Sequence, residues 1–123
     1  MTPSFAQTPA DACRQTLAQT VEFASDKTTL DATARALVRR QAKCLEGNGG
    51  SVTIEAFWDD SSTQTKAREL SLRLASRVRD ELVKSGVAET RLKTVGHGRD
   101  KSLDPDKPHE RRRVVRLVVG AGA

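Results

Sequence analysis

The chain has 123 residues, 37% of them hydrophobic and 30% charged, with 8 Gly and 4 Pro. That length supports one hydrophobic core, and the composition excludes a disordered, collagen-like or membrane-spanning chain, since no apolar run approaches the roughly 18 residues a transmembrane helix needs. Lys and Arg number 21 against 16 Asp and Glu, a net charge of +5 that favours anionic partners such as nucleic acid, an anionic lipid surface or an acidic polymer.

The first dozen residues are polar and Pro-containing and read as a flexible N-terminal segment, 1–12, ahead of a domain at 13–120 and a tail at 121–123. Ser4-Phe5-Ala6 before Gln7 fits the small-residue pattern of a signal-peptidase site, as in a trimmed secreted chain with an added Met1. Cys13 and Cys44 lack the short spacing of a zinc site or redox pair. The residues alone leave two readings: one disulfide closing 31 positions, or two buried thiols.

Thr20-Val21-Glu22-Phe23 alternates polar and apolar, a short strand. A helix starts at Thr28 or Thr29, with Leu30, Ala34, Leu37, Gln41 and Leu45 on one stripe, and Gly47-Asn48-Gly49-Gly50 ends it. From Ser51 to Phe57 a second strand points Val52, Ile54 and Ala56 to the core and Thr53, Glu55 and Phe57 away. Trp58-Asp59-Asp60-Ser61-Ser62 is a loop rich in helix-capping residues. The long helix after it, about Thr65 to Lys84, draws its core stripe from Leu70, Ser71, Leu74, Ala75, Val78 and Leu82. Arg91 to Val95 is a third strand, residues 96–108 a loop in which Gly96-His97-Gly98 makes a turn, and Arg112 to Val119 the last strand. That strand sets Val115, Leu117 and Val119 against Arg112, Val114, Arg116 and Val118, with Arg116 placed to pair with Glu22 and Glu55 across neighbouring strands. The order β-α-β-α-β-β gives an α/β (α+β) two-layer sandwich, two helices on one face of a mixed sheet.

Catalytic chemistry has little to stand on. His97 and His109 have no serine or cysteine placed by sequence for activation, further metal ligands are not spaced around them, and no Gly-rich loop opens a helix after a strand. An enzyme is therefore not expected, and neither a metal nor a cofactor. Arg111-Arg112-Arg113 with Arg116 is the one basic run that phosphates would favour, but Phe numbers 3, Trp 1 and Tyr 0, too few to stack bases. A strand face paired with Glu22, Glu55 and Glu110 explains those arginines better than nucleic acid does. The loop entering the long helix is the best candidate site: beside a helix N-terminus, the Asp59 carboxylate would take an ammonium and the backbone amides an anion, although Asp59, Asp60, Ser61 and Ser62 also suit plain capping.

From Cys13 to Val119 the chain resembles the OmpA-like domain, the peptidoglycan-binding module of bacterial envelope proteins. Val21-Glu22-Phe23-Ala24-Ser25 is similar to the family's opening strand, and Ile54-Glu55-Ala56-Phe57-Trp58-Asp59 to I-x-G-H-T-D. Leu70-Ser71 with Ala75 and Val78 resembles N-x-x-L-S-x-x-R-A-x-x-V, Gly96-His97-Gly98 resembles G-Y-G, and Arg112-Arg113-Val114 the end of N-R-R-V; Asp59 and Leu70 are eleven positions apart, as in the family. Some relatives carry cysteines where Cys13 and Cys44 lie, so the resemblance implies a disulfide and an oxidising compartment.

The resemblance implies a non-catalytic module of the periplasm or cell envelope, associated with the outer membrane, that holds the diaminopimelate of a peptidoglycan stem peptide. The family's ammonium-binding aspartate falls on Asp59. Its carboxylate-binding arginine falls on Leu74, its asparagine on Ala67, its G-H-T on Ala56-Phe57-Trp58 and the N of N-R-R-V on Arg111. Losing a charge-assisted arginine contact of about 1.5 to 3 kcal/mol weakens such binding by tenfold to a hundredfold or more. The ligand set implied here is Asp59, Trp58, Ser61, Ser62, Arg112 and Arg113, with Arg77, one turn beyond Leu74, as a substitute cation. On this reading Leu74→Arg strengthens binding if the pocket is otherwise intact. The alternative is an OmpA-like scaffold that has lost peptidoglycan and uses Trp58, Phe57 and its arginine surface on an envelope protein, for which an exposed Trp58 would speak.

Overall fold

Residues 9–23, 28–47, 50–58, 63–99 and 113–120 are described by the structure, a computed structural model. The alternation read over residues 51–57 sets the middle of the sheet. Strand β2 (Val52–Trp58) turns Val52, Ile54, Ala56 and Trp58 into the main core and Thr53, Glu55 and Phe57 to the other face. Strand β4 (Arg113–Val119) pairs antiparallel with it, Ile54 opposite Leu117 and Glu55 opposite Arg116. Strand β3 (Leu92–Gly98) runs parallel along the other side of β2, and the two-residue β1 (Val21–Glu22) is antiparallel to β4, giving the order β1-β4-β2-β3.

Helices α1 (Pro9–Ala18), α2 (Ala32–Glu46) and α3 (Gln64–Lys84) complete a mixed α+β fold, a third helix being added to the two expected. Helix α3 follows its predicted stripe: Ser71, Leu74, Ala75, Val78 and Leu82 are buried and Leu70 is half-buried against the core, with Ala67 buried in addition. Helix α2 begins later than residues 28–29, at Ala32, because Asp31 caps it: Asp31 Oδ1 accepts from Ala34 N at 2.8 Å. Residues 9–12, assigned to the loose segment, form the first turn of α1. Pro9 opens this helix, a position where its missing N–H would have no helical partner anyway. What holds α1 lies far away in sequence. Cys13 is disulfide-bonded to Cys44 with Cα atoms 5.3 Å apart, and the buried Gln41 donates from Nε2 to Thr16 O and Gln19 O, both at 3.1 Å. The disulfide reading of the two cysteines is the one realised.

The larger correction concerns residues 96–98. Gly96-His97-Gly98 is not a turn but the last part of β3. A Cβ on Gly96 would stand 2.8 Å from Arg68 O, Leu72 N and Ser71 Oγ, and one on Gly98, at φ +67°, would stand 3.0 Å from Arg68 N and Gln64 Oε1. Two glycines on the helix-facing side of a strand thus mark where a helix backbone approaches it.

Strands β1, β2 and β3 end, and β4 begins, at one edge of the sheet, beside the start of α3. Phe23 N donates to Arg113 O at 2.8 Å, and Trp58 sits opposite Arg113. Trp58 and Thr63, the residues that flank the candidate ligand loop in sequence, are the last of β2 and the N-cap of α3.

Two measurements check these packing arguments. Thiol titration of denatured, unreduced protein should find no free thiol, and replacing both Cys13 and Cys44 by Ser should lower the unfolding free energy by about 3 to 4 kcal/mol in the loop-entropy account. Gly96→Ala should destabilise by about 1 to 3 kcal/mol in a urea titration, because the backbone atoms it meets have nowhere to go. Gly47→Ala, with nothing within 4 Å of the added carbon, is the control and should change little.

Candidate ligand site

Strand β2 delivers Trp58 to the sheet edge with its ring in the core, 4% exposed. The Arg113 guanidinium lies over that ring, 4.6 Å from its centroid, and Arg113 is itself 6% exposed. A cation held on an indole face within 6 Å gains electrostatically from the ring and keeps a fixed position. The structure therefore brings Trp58 and Arg113, two of the expected ligand residues, into contact. It does so with the tryptophan buried, so neither Trp58 nor Phe57, at 1%, forms the exposed aromatic pair that a protein partner would have suggested.

Asp59, Ser61, Ser62 and Arg112 lie outside the described residues. In sequence, Trp58 precedes and Thr63 follows residues 59–62, and Arg113 follows Arg112. Thr63 is the N-cap of α3, its side chain accepting from Lys66 N at 3.2 Å, so capping is performed by a residue just beyond the Asp-Ser run. The first turns of α3 are also stitched to the end of β3. Gln64 Nε2 donates to His97 O at 3.2 Å while its Oε1 accepts from Arg99 N at 3.0 Å. Ser71 Oγ accepts from Gly98 N at 3.0 Å and donates to Arg68 O at 2.9 Å. Sequence reasoning did not find Gln64; the glycine spacing at 96 and 98 was the signal that a helix would lie there.

The positions of the family's arginine and asparagine are closed. Leu74 and Ala67 are both 0% exposed and belong to the main core. Arg77, the proposed substitute, is exposed and lines a crevice between α2 and α3 with Thr29, Leu30, Arg35, Asp80, Glu81 and Lys84, a group separate from Trp58 and Arg113.

On the opposite face of the sheet a second polar cluster forms. Arg116 Nε donates to Glu55 Oε1 at 2.8 Å, the cross-strand pair expected from the alternation. His97 stacks on Phe57, ring centroids 4.9 Å apart, with Nε2 3.7 Å from Glu55 Oε2, and Arg116 covers Phe57 at 5.2 Å. These contacts explain why Phe57, though turned away from the helices, is buried. Among the described residues no group of His, Cys, Asp and Glu could hold a metal ion, and no helix is long and apolar enough to cross a membrane.

Comparison with known proteins agrees with this architecture. The OmpA family profile matches residues 22–116. The peptidoglycan-associated lipoprotein of Rhizobium meliloti (strain 1021) is 35% identical over 107 residues, covering 82% of this chain and 60% of that protein. The chain thus spans about six-tenths of the length of this curated relative. Among solved structures, the peptidoglycan-associated lipoprotein from Burkholderia pseudomallei superposes with a TM-score of 0.73 at 22% identity, over 83% of this chain and 90% of that one. The C-terminal domain of Helicobacter pylori MotB gives 0.73 at 19%, over 85% and 86%. At these identities the two structures speak for the fold, while the family match covers most of the chain. On that match, the chain belongs to the OmpA family.

Proposed function

We propose that this domain is a non-catalytic module of the bacterial envelope, in the periplasm and associated with the outer membrane, that binds the diaminopimelate stem of peptidoglycan weakly or in altered fashion through Asp59 and the N-terminus of α3. The observation that carries the reading is the junction at the sheet edge. A 21-residue helix starts there beside the end of β2, with Arg113 fixed on Trp58 opposite. The first amides of a helix lack intrahelical partners and carry its positive pole, so they suit a carboxylate, and Asp59 suits the ammonium of the same zwitterion. Ser61, Ser62 and Arg112 supply further donors, and the net charge of +5 suits an anionic wall. The relatives named peptidoglycan-associated lipoproteins support the ligand class.

Leu74 explains why the binding is altered. In place of a cation that would grip the ligand carboxylate, the helix contributes core packing. The same observation favours a second reading, a scaffold that has given up peptidoglycan and docks an envelope protein, although the burial of Trp58 and Phe57 removes the surface first expected to serve it.

An NMR titration of the labelled chain with a diaminopimelate-containing muropeptide separates the two. Shifts centred on Asp59 and the Ser61 and Ser62 amides are expected, and Asp59→Ala should weaken the interaction by about tenfold or more, the worth of one charge-assisted contact. No shift at millimolar ligand would transfer the site to a protein partner. Leu74→Arg should not rebuild the clamp. It places a guanidinium among fully buried neighbours and should lose roughly 3 kcal/mol of stability with no gain in muropeptide affinity, read by denaturant titration and the same NMR experiment.

A further inference from the structure

The side of α3 opposite its core stripe is used neither by the fold nor by the ligand site. At about 100° per residue, Glu69, Leu72, Ser76, Asp80 and Val83 fall on the arc diametrically away from Ser71, Leu74 and Val78. Two of the three exposed large hydrophobics among the described residues lie on it, Leu72 at 44% and Val83 at 38%. The positions Glu69, Leu72, Ser76, Arg79 and Val83 follow one another at three-and-four spacing, the seam of a short two-stranded coiled coil, with Arg73 and Asp80 along one flank.

The order of side chains on this face is palindromic with the charges inverted. From one end it reads Glu69, Leu72, Arg73; from the other, Lys84, Val83, Asp80. Turning a second copy end for end about the middle of α3 therefore seats Leu72 on Val83 of the second copy, Arg73 beside its Asp80 and Glu69 beside its Lys84, each contact occurring twice by the two-fold axis. A parallel arrangement would put Arg73 on Arg73 and Asp80 on Asp80. A polyanion would meet both signs of charge and no continuous basic strip.

We propose that the outer face of α3 docks antiparallel on the same face of a second copy of this chain, through the Leu72–Val83 contacts and the Arg73–Asp80 and Glu69–Lys84 pairs. The self-complementary sign pattern selects a second copy over other occupants. Asp80 already lies 3.3 Å from Arg79, Asp80 being exposed and Arg79 half-buried, so its pairing with Arg73 of the second copy draws on a solvated carboxylate and disturbs no fully buried bond. One helix pair of this length buries less than the roughly 1,200 Å² of a standard interface, so the dimer is weak and loosens with salt.

Sedimentation equilibrium of the 123-residue chain, over a concentration series at low and high salt, tests this. A dimer that dissociates more readily at high salt is expected. Leu72→Glu should raise its dissociation constant by about tenfold or more, as for a seam residue. Arg73→Asp and Asp80→Arg should each weaken it alone, and the double variant should recover most of the affinity, a coupling that only facing side chains produce. All these positions are exposed, and circular dichroism of each variant should match the parent. A chain that stays monomeric at every concentration and salt overturns the proposal, as does a dimer indifferent to Leu72→Glu or to the charge exchange.

Discussion

The contact of α3 with β3 at Gly96 controls the geometry of the rest. No side chain fits there, because the backbone of Arg68 and Leu72 already occupies the space. Gly98 extends the same close approach toward the start of the helix, within reach of Gln64. At this separation Ser71 Oγ reaches Gly98 N and the Gln64 amide spans His97 O and Arg99 N. These bonds orient the N-terminus of α3 relative to the strand ends. The positive pole of the helix and the Arg113–Trp58 pair are consequently gathered at one edge of the sheet. Larger side chains at either glycine would lift the helix and widen that edge.

The two faces of the sheet solve different problems. Toward the helices, β2 and β4 offer Ile54, Ala56, Val115 and Leu117, and the hydrophobic effect does most of the work. On the other face the same two strands carry Glu55, Phe57 and Arg116, joined by His97 from β3, so an aromatic ring is kept from water by a stacked imidazole and a guanidinium rather than by a helix. Leu74 belongs to the first kind of solution. A side chain at that point of α3 either fills the core or reaches for a ligand. In this chain it fills the core, with Val78 and Leu82 in the same stripe.

Strand β2, helix α3 and the two faces of β4 were legible in the sequence because each has a clean period and a buried stripe long enough to show it. The Glu55–Arg116 pair followed from the same alternation. Helix α1 was not legible: its anchors are Cys44 and Gln41, between 22 and 31 residues away, and local pattern carries no trace of them. The glycines of β3 were misread as a turn, since their requirement comes from a helix that passes over them. Of the candidate site, the approach of Arg113 to Trp58 required strand register, with Trp58 opposite Arg113, which no motif states. Leu74 was recognised as a departure from the family, and its complete burial shows the departure to be a packing residue.

The Cys13–Cys44 bond also changes how the domain would bear tension. Strand β1 is two residues long and lies at the sheet's edge, so a pull arriving through α1 would peel it from β4 one hydrogen bond at a time. With the sulfurs joined, force entering before Cys13 crosses directly to the last turn of α2 and bypasses the chain between the two cysteines. The load then meets a helix packed in the core through Leu37, Val38 and Leu45, where yielding requires shearing a whole interface at once. A domain stapled in this way resists traction from its N-terminal side at the covalent bond first, and its weakest strand is spared.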